Sequence, residues 1–176
     1  MRNKKVYSLV AAALIAAMYA VLTFVVAQFA YGAVQLRVSE ALTILPMYTP
    51  VAVPGLTVGC LLANVIGLSL GKTVVWDLLF GTAASLIAAV MTYSLGKSKS
   101  RRVRYILGPF PAVLVNAVIV GMEITFFFSE GGATAAIFWA NFASVFLGQA
   151  IICYGLGVPL MLVLERGELY KRIFKR

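Results

Sequence analysis

Three carboxylates and one guanidinium stand out along this chain: Glu40, Asp77, Glu123 and Arg37 each fall beside or inside a run with almost nothing else polar in it. A carboxylate accepts hydrogen bonds on two oxygens, and a guanidinium donates them in a rigid fork. The side chains nearest to these four in type and position are the amides Gln35, Asn64, Asn116 and Asn141, which both donate and accept, and Trp76, which offers a stacking face next to Asp77. Such a set suits the binding of a small planar molecule with polar edges. It would also suit an intramembrane enzyme using Asp77 and Glu123 as paired carboxylates, but nothing supplies an activated nucleophile or a metal-ligand cluster. Histidine is absent, and the two cysteines, Cys60 and Cys153, lie in apolar segments without metal-ligand spacing. Neither a metal nor a cofactor is expected, and no disulfide framework.

The elements that must hold these residues are membrane helices. Of the 176 residues 62% are hydrophobic and 12% charged, outside the range of soluble domains. Against a span of about 20 residues, hydropathy predicts six segments, at residues 6–30, 38–48, 50–70, 73–96, 104–128 and 134–164. The first, after MRNKK, is too long for a secretory signal core and is expected to remain as a helix. The second is too short for a regular crossing, and Pro46, Pro50 and Pro54 interrupt helical bonding around the turn that follows it. The expected fold is therefore an all-α integral membrane protein, one transmembrane domain over residues 1–176, with six helices and a short, proline-interrupted second one.

Charge sets the orientation. The net charge of +9 resides largely in three blocks: Arg2, Lys4 and Lys5; Lys97 to Arg104; and Arg166 to Arg176. Short basic blocks between apolar spans are the pattern that orients a membrane protein, not a nucleic-acid footprint, so nucleic acid is rejected as a partner. With all three blocks cytoplasmic the number of crossings is even, both termini lie inside, and Gln35, Arg37, Glu40, Asn64, Trp76, Asp77, Asn116, Glu123 and Asn141 gather in the outer half of the bundle. Glu123 and Asn116, seven apart, share a helical face.

Each of these residues also has a plainer reading. Asp77 and Glu123 can sit wet at headgroup level, Arg37 and Glu40 can pair at a helix start capped by Ser39, Trp76 can belong to an interfacial belt, and the asparagines can tie helices together. GLSLGKT, Gly67 to Thr73, has three residues between its glycines where a phosphate loop has four, and it joins two spans. It reads as a loop, and ATP-driven work would fall to another chain. Ala12, Ala16 and Ala20, with Ala13 and Ala17 beside them, form a small-residue stripe that lets a helix approach closely. That helix belongs either to a partner subunit or to the same bundle.

Three stretches, YGAVQLRVSEALTILP (Tyr31 to Pro46), TPVAVPGLTVGCLLAN (Thr49 to Asn64) and VWDLLFGTAASLIAA (Val75 to Ala89), resemble the queuosine-precursor transporter (QueT) family, the substrate-binding S components of energy-coupling factor transporters. The resemblance implies a six-helix bundle in the bacterial cell membrane with cytoplasmic termini. It implies a deazaguanine precursor of queuosine bound near the outer surface under the loop after the first helix. It also implies a transmembrane coupling subunit and two ATPase subunits as partners, with the alanine stripe as the face shown to the coupling subunit. On this view Glu40 or Glu123 reads the guanine-like edge, and Asp77 is a counter-ion for any aminomethyl cation. An S component for a different vitamin or heterocycle is the alternative, since few pocket residues set specificity on a shared fold.

Overall fold

The computed structural model describes residues 4–26, 36–129 and 132–174. Those residues form helices α1 (Lys4–Val25), α2 (Ala52–Ser69), α3 (Val75–Leu95), α4 (Arg101–Leu107), α5 (Phe110–Phe127), α6 (Ala135–Ile152), α7 (Val158–Glu165) and α8 (Leu169–Phe174). Between α1 and α2 stands a tight 3-10 helix, Val38–Met47. A single π turn, Cys153–Gly157, joins α6 to α7.

Five helical stretches are long and apolar enough to cross a membrane: Lys4–Val25, Ala52–Ser69, Val75–Leu95, Arg101–Phe127 and Ala135–Phe174. They match five of the six expected segments. The fourth is broken where Gly108 and Pro109 separate α4 from α5, and the last runs on to Phe174. The remaining segment, Val38–Met47, is the 3-10 helix. At a rise of about 2.0 Å per residue it reaches about 20 Å, short of the bilayer core of about 30 Å.

That short helix is the centre of the molecule. Every residue from Ser39 to Pro46 is buried, so its irregular backbone never meets lipid. It touches α1, α2, α3, α6, α7 and the π turn. A Cβ on Gly157 of the π turn would stand 3.4 Å from Ile44 Cγ2 and 3.5 Å from the Ala41 carbonyl oxygen. At its far end Met47 lies between two other glycines: a Cβ on Gly96 would come within 2.5 Å of its Cα, and one on Gly108 within 2.7 Å of its Sδ.

Close approach also fixes the direction of the alanine stripe. A Cβ on Gly55 would meet Ala12 O at 3.0 Å, and one on Gly59 would meet Ala16 Cα at 3.0 Å. Ala16 and Ala20 are buried. The contact expected between Ala12, Ala16 and Ala20 and a coupling subunit is thereby corrected: α2 fills that face, because its glycines leave room for the α1 backbone. Among lipid tails such packing, not apolar burial, drives helix association.

The described residues of the three basic blocks share one end of the bundle. The Tyr7 hydroxyl donates to the carbonyl of Ile173, joining the starts of α1 and the end of α8. Glu165 accepts from Tyr48 at 3.2 Å and Tyr105 at 3.0 Å, and pairs with Arg104 at 3.3 Å and Arg101 at 3.4 Å. Burial, reinforced by the Glu165 carboxylate, pushes the Tyr48 phenol well above its ordinary range, which keeps it a donor.

Candidate functional site

At the opposite end of the bundle, polar side chains from five elements meet. The 3-10 helix begins there with Arg37, Ser39 and Glu40, all buried. Arg37 Nη2 donates to Asn64 Oδ1 at 3.1 Å, and Asn64 Nδ2 donates to the carbonyl of Asp77 at 2.8 Å. One asparagine of α2 thus links the guanidinium to the first turn of α3. Its own carbonyl accepts from Thr73 at 2.9 Å, which ties down the loop between the two helices. Asp77 closes its helix start by accepting the Val74 N–H at 2.9 Å on Oδ2.

α1 holds Glu40 in place. The Tyr19 hydroxyl donates to Glu40 Oε1, and Thr23 shares a 2.7 Å hydrogen bond with Ser39. The second Glu40 oxygen is buried and has no hydrogen-bond partner among the described residues. The Glu40 carbonyl accepts from Thr43 at 2.6 Å, and from the Cys153 thiol at 3.7 Å. Cys153 also reaches Gln149 at 3.7 Å, so the π turn leads from this end of the 3-10 helix to α6.

Glu123, one turn from the end of α5, is 2% exposed, and neither carboxylate oxygen has a partner among the described residues. Glu123 also lines a groove of about 350 Å³ between α3 and α5, with Phe80, Ala83, Ile119, Met122, Phe126 and Phe127. Trp76, 44% exposed, stacks on Phe127 with centroids 4.6 Å apart. It therefore forms part of an aromatic rim outside the carboxylates.

The structure brings Arg37, Glu40, Asn64, Asp77 and Glu123 together at one end. Asn116 is buried nearby but turns its amide to the Ala112 carbonyl of its own helix, at 3.0 Å. Asn141 donates to Thr125 Oγ1 at 3.0 Å, tying α6 to α5. Gln35 lies outside the described residues. Sequence reasoning passed over Tyr19, Thr23 and Gln149, although a hydroxyl or amide within an apolar span is itself a signal that a partner waits on a neighbouring helix.

Acceptor carboxylates, one donor guanidinium and a flanking aromatic groove equip this end to bind a small molecule with hydrogen-bond donors or positive charge. Among the described residues no group of three potential metal ligands occurs.

A sequence profile described as QueT transporter matches residues 9–166. The chain is also 33% identical over 66 residues to the queuosine precursor transporter QueT of Lactococcus lactis subsp. cremoris, a match covering 36% of this chain and 39% of that protein's length. The aligned part thus spans well under half of that relative. No solved structure matches.

Proposed function

The chain belongs to the QueT transporter family, and from that premise we propose that it is the membrane-embedded substrate-binding subunit of an energy-coupling factor importer. Its cargo would be a deazaguanine precursor of queuosine, and the work would come from ATP hydrolysed on two partner subunits through a transmembrane coupling subunit. One observation carries the reading: the chain of contacts Arg37, Asn64, Asp77, flanked by Glu40 and Glu123, gathers donors and acceptors from separate helices at one end of an otherwise apolar bundle. A guanine-like edge presents two adjacent donors to a carboxylate and a carbonyl to a guanidinium or amide. In this reading Val38–Met47 is the second of six crossings, the basic end faces the cytoplasm and the site opens outward. Asn116 and Asn141 support the site's walls, while the Trp76 rim offers a stacking surface.

The partner contact would fall on the exposed face of α1 that carries Ala13 and Ala17, since α2 occupies the other. Calorimetric titration of the purified chain with 7-deazaguanines, guanine and other vitamins tests the proposal. Tight, one-to-one binding of a deazaguanine is the expected result. Preference for an unrelated heterocycle would make it an S component for that compound instead.

A further inference from the structure

We infer that the basic end of the bundle carries a second site, a cavity between α4 and α7 that takes the phosphodiester headgroup of an anionic phospholipid. The cavity measures about 530 Å³ and is lined by Arg101, Leu162, Glu165 and Arg166. It lies at the other end of the molecule from Arg37 and Glu123, so the inference does not depend on which cargo the chain carries.

The first observation is the donor capacity that remains once the carboxylate is filled. Glu165 meets two partners on each oxygen, Tyr48 and Arg104 on Oε1 and Tyr105 and Arg101 on Oε2. Arg101 directs Nε to Glu165 at 3.4 Å and Nη2 to the Tyr105 hydroxyl at 3.3 Å, which leaves Nη1 with both its N–H groups unpartnered among the described residues. Arg166 is exposed and forms no ion pair among them. Next to this wall the Nε of Arg104 is buried without a hydrogen-bond partner among the described residues. Three arginines thus face one acid that is already saturated. The backbone sets Arg166 there: it ends α7 in an extended conformation, and Gly167, at φ 60°, enters the left-handed region that favours glycine before α8 begins.

The second observation is apolar. Leu162 forms the remaining wall, and Ile106, Leu107, Leu162 and Val163 stand exposed on the two helices beside the cavity. Tyr48 packs on Tyr170 with centroids 5.2 Å apart and shares Glu165 with Tyr105, a gathering of tyrosines typical of the membrane–water boundary. A free inorganic anion would use the arginines and leave the leucines bare, and so would an acidic protein segment. A phospholipid uses both: its phosphate oxygens match the guanidinium forks, and its acyl chains cover the apolar side chains.

The test is native mass spectrometry of the full chain released from nanodiscs of equal phosphatidylglycerol and phosphatidylcholine, counting the lipid that stays bound. One phosphatidylglycerol should be retained, preferred over phosphatidylcholine by roughly 25-fold, about fivefold for each of Arg101 and Arg166. The preference should fall to about fivefold in Arg101→Gln and in Arg166→Gln, and disappear in the double variant. It should persist in Lys97→Gln/Lys99→Gln, which removes the same charge from exposed positions outside the cavity. Thermal melting in phosphatidylcholine alone checks that each variant folds. Should Arg101→Gln not fold, Arg166→Gln decides, since it breaks no ion pair among the described residues. No preference in the parent overturns the site, and equal losses in the arginine and lysine double variants overturn it in favour of diffuse surface charge. In the delipidated chain, thermal stabilisation by inorganic phosphate or by polyglutamate that equals stabilisation by phosphatidylglycerol assigns the arginines to a free anion or to an acidic protein segment, and overturns the lipid reading.

Discussion

Replacing Gly81 with alanine is a sharp test of the site's construction, because helix propensity and packing predict opposite signs. Gly81 lies inside α3, where alanine alone would gain about 1 kcal/mol over glycine. Its added Cβ would stand 2.9 Å from Asn64 Nδ2, against 3.4 Å for ordinary contact. The amide must give way by about 0.5 Å, the difference between those two distances. It is held by a 2.8 Å bond to the Asp77 carbonyl and a 3.1 Å bond from Arg37, and a shift of that size takes the longer one out of bonding range. Losing a hydrogen bond to a buried charge costs about 1.5–3 kcal/mol. Set against the propensity gain, the net loss is about 0.5–2 kcal/mol, or a Tm lower by roughly 1–8 °C for a chain of this size. Cargo affinity should fall as well, because Arg37 is no longer aimed. Thermal unfolding in detergent and calorimetric binding on the same sample read both. Gly155→Ala, where an added Cβ meets nothing within 4 Å, serves as the control and should not destabilise. A Gly81→Ala protein that melts higher than its parent and binds cargo equally well would refute the proposed role of Asn64.

Ala16→Leu should cost about 1–3 kcal/mol by overpacking against Gly59. Ala17→Leu, on the exposed face of α1, should leave Tm and affinity unchanged while reducing co-purification with a coupling subunit. Tyr19→Phe removes the donor to Glu40 and should cost about 1.5–3 kcal/mol. Adding Glu40→Gln should recover part of that loss in a double-mutant cycle, and strict additivity would mean that the pair is not coupled. Glu165→Ala strips Tyr48 and Tyr105 of their acceptor at about 1 kcal/mol each. It should lower Tm without changing affinity at the distant site, and a weakened affinity would show that the two ends communicate.

Hydropathy made the long spans legible to within a few residues: 73–96 was expected where Val75–Leu95 forms, and 50–70 where Ala52–Ser69 does. The depth argument likewise gathered Arg37, Glu40, Asn64, Asp77 and Glu123 at one end. What stayed hidden depended on partners across the bundle. The stripe Ala12, Ala16, Ala20 invites a helix without saying which one, and Gly55 and Gly59 reveal the answer only when α1 and α2 are placed side by side. Tyr19 hid among apolar neighbours because its hydroxyl acquires meaning from Glu40, 21 residues away. The tight winding of Val38–Met47 was equally hidden, since the elements enclosing it come from the whole length of the chain.

The burial of that central helix bears on biogenesis. A ten-residue segment with Arg37 before it and Glu40 within it is too short and too charged to partition into a bilayer as it leaves the translocon. Its neighbours α3, α6 and the π turn are synthesised later, so the shielding that the segment needs is complete only when the whole bundle has closed. Insertion of the long helices and completion of the site are therefore separable, and a nascent chain halted after α2 would lack the α3, α6 and π-turn contacts that enclose the 3-10 helix.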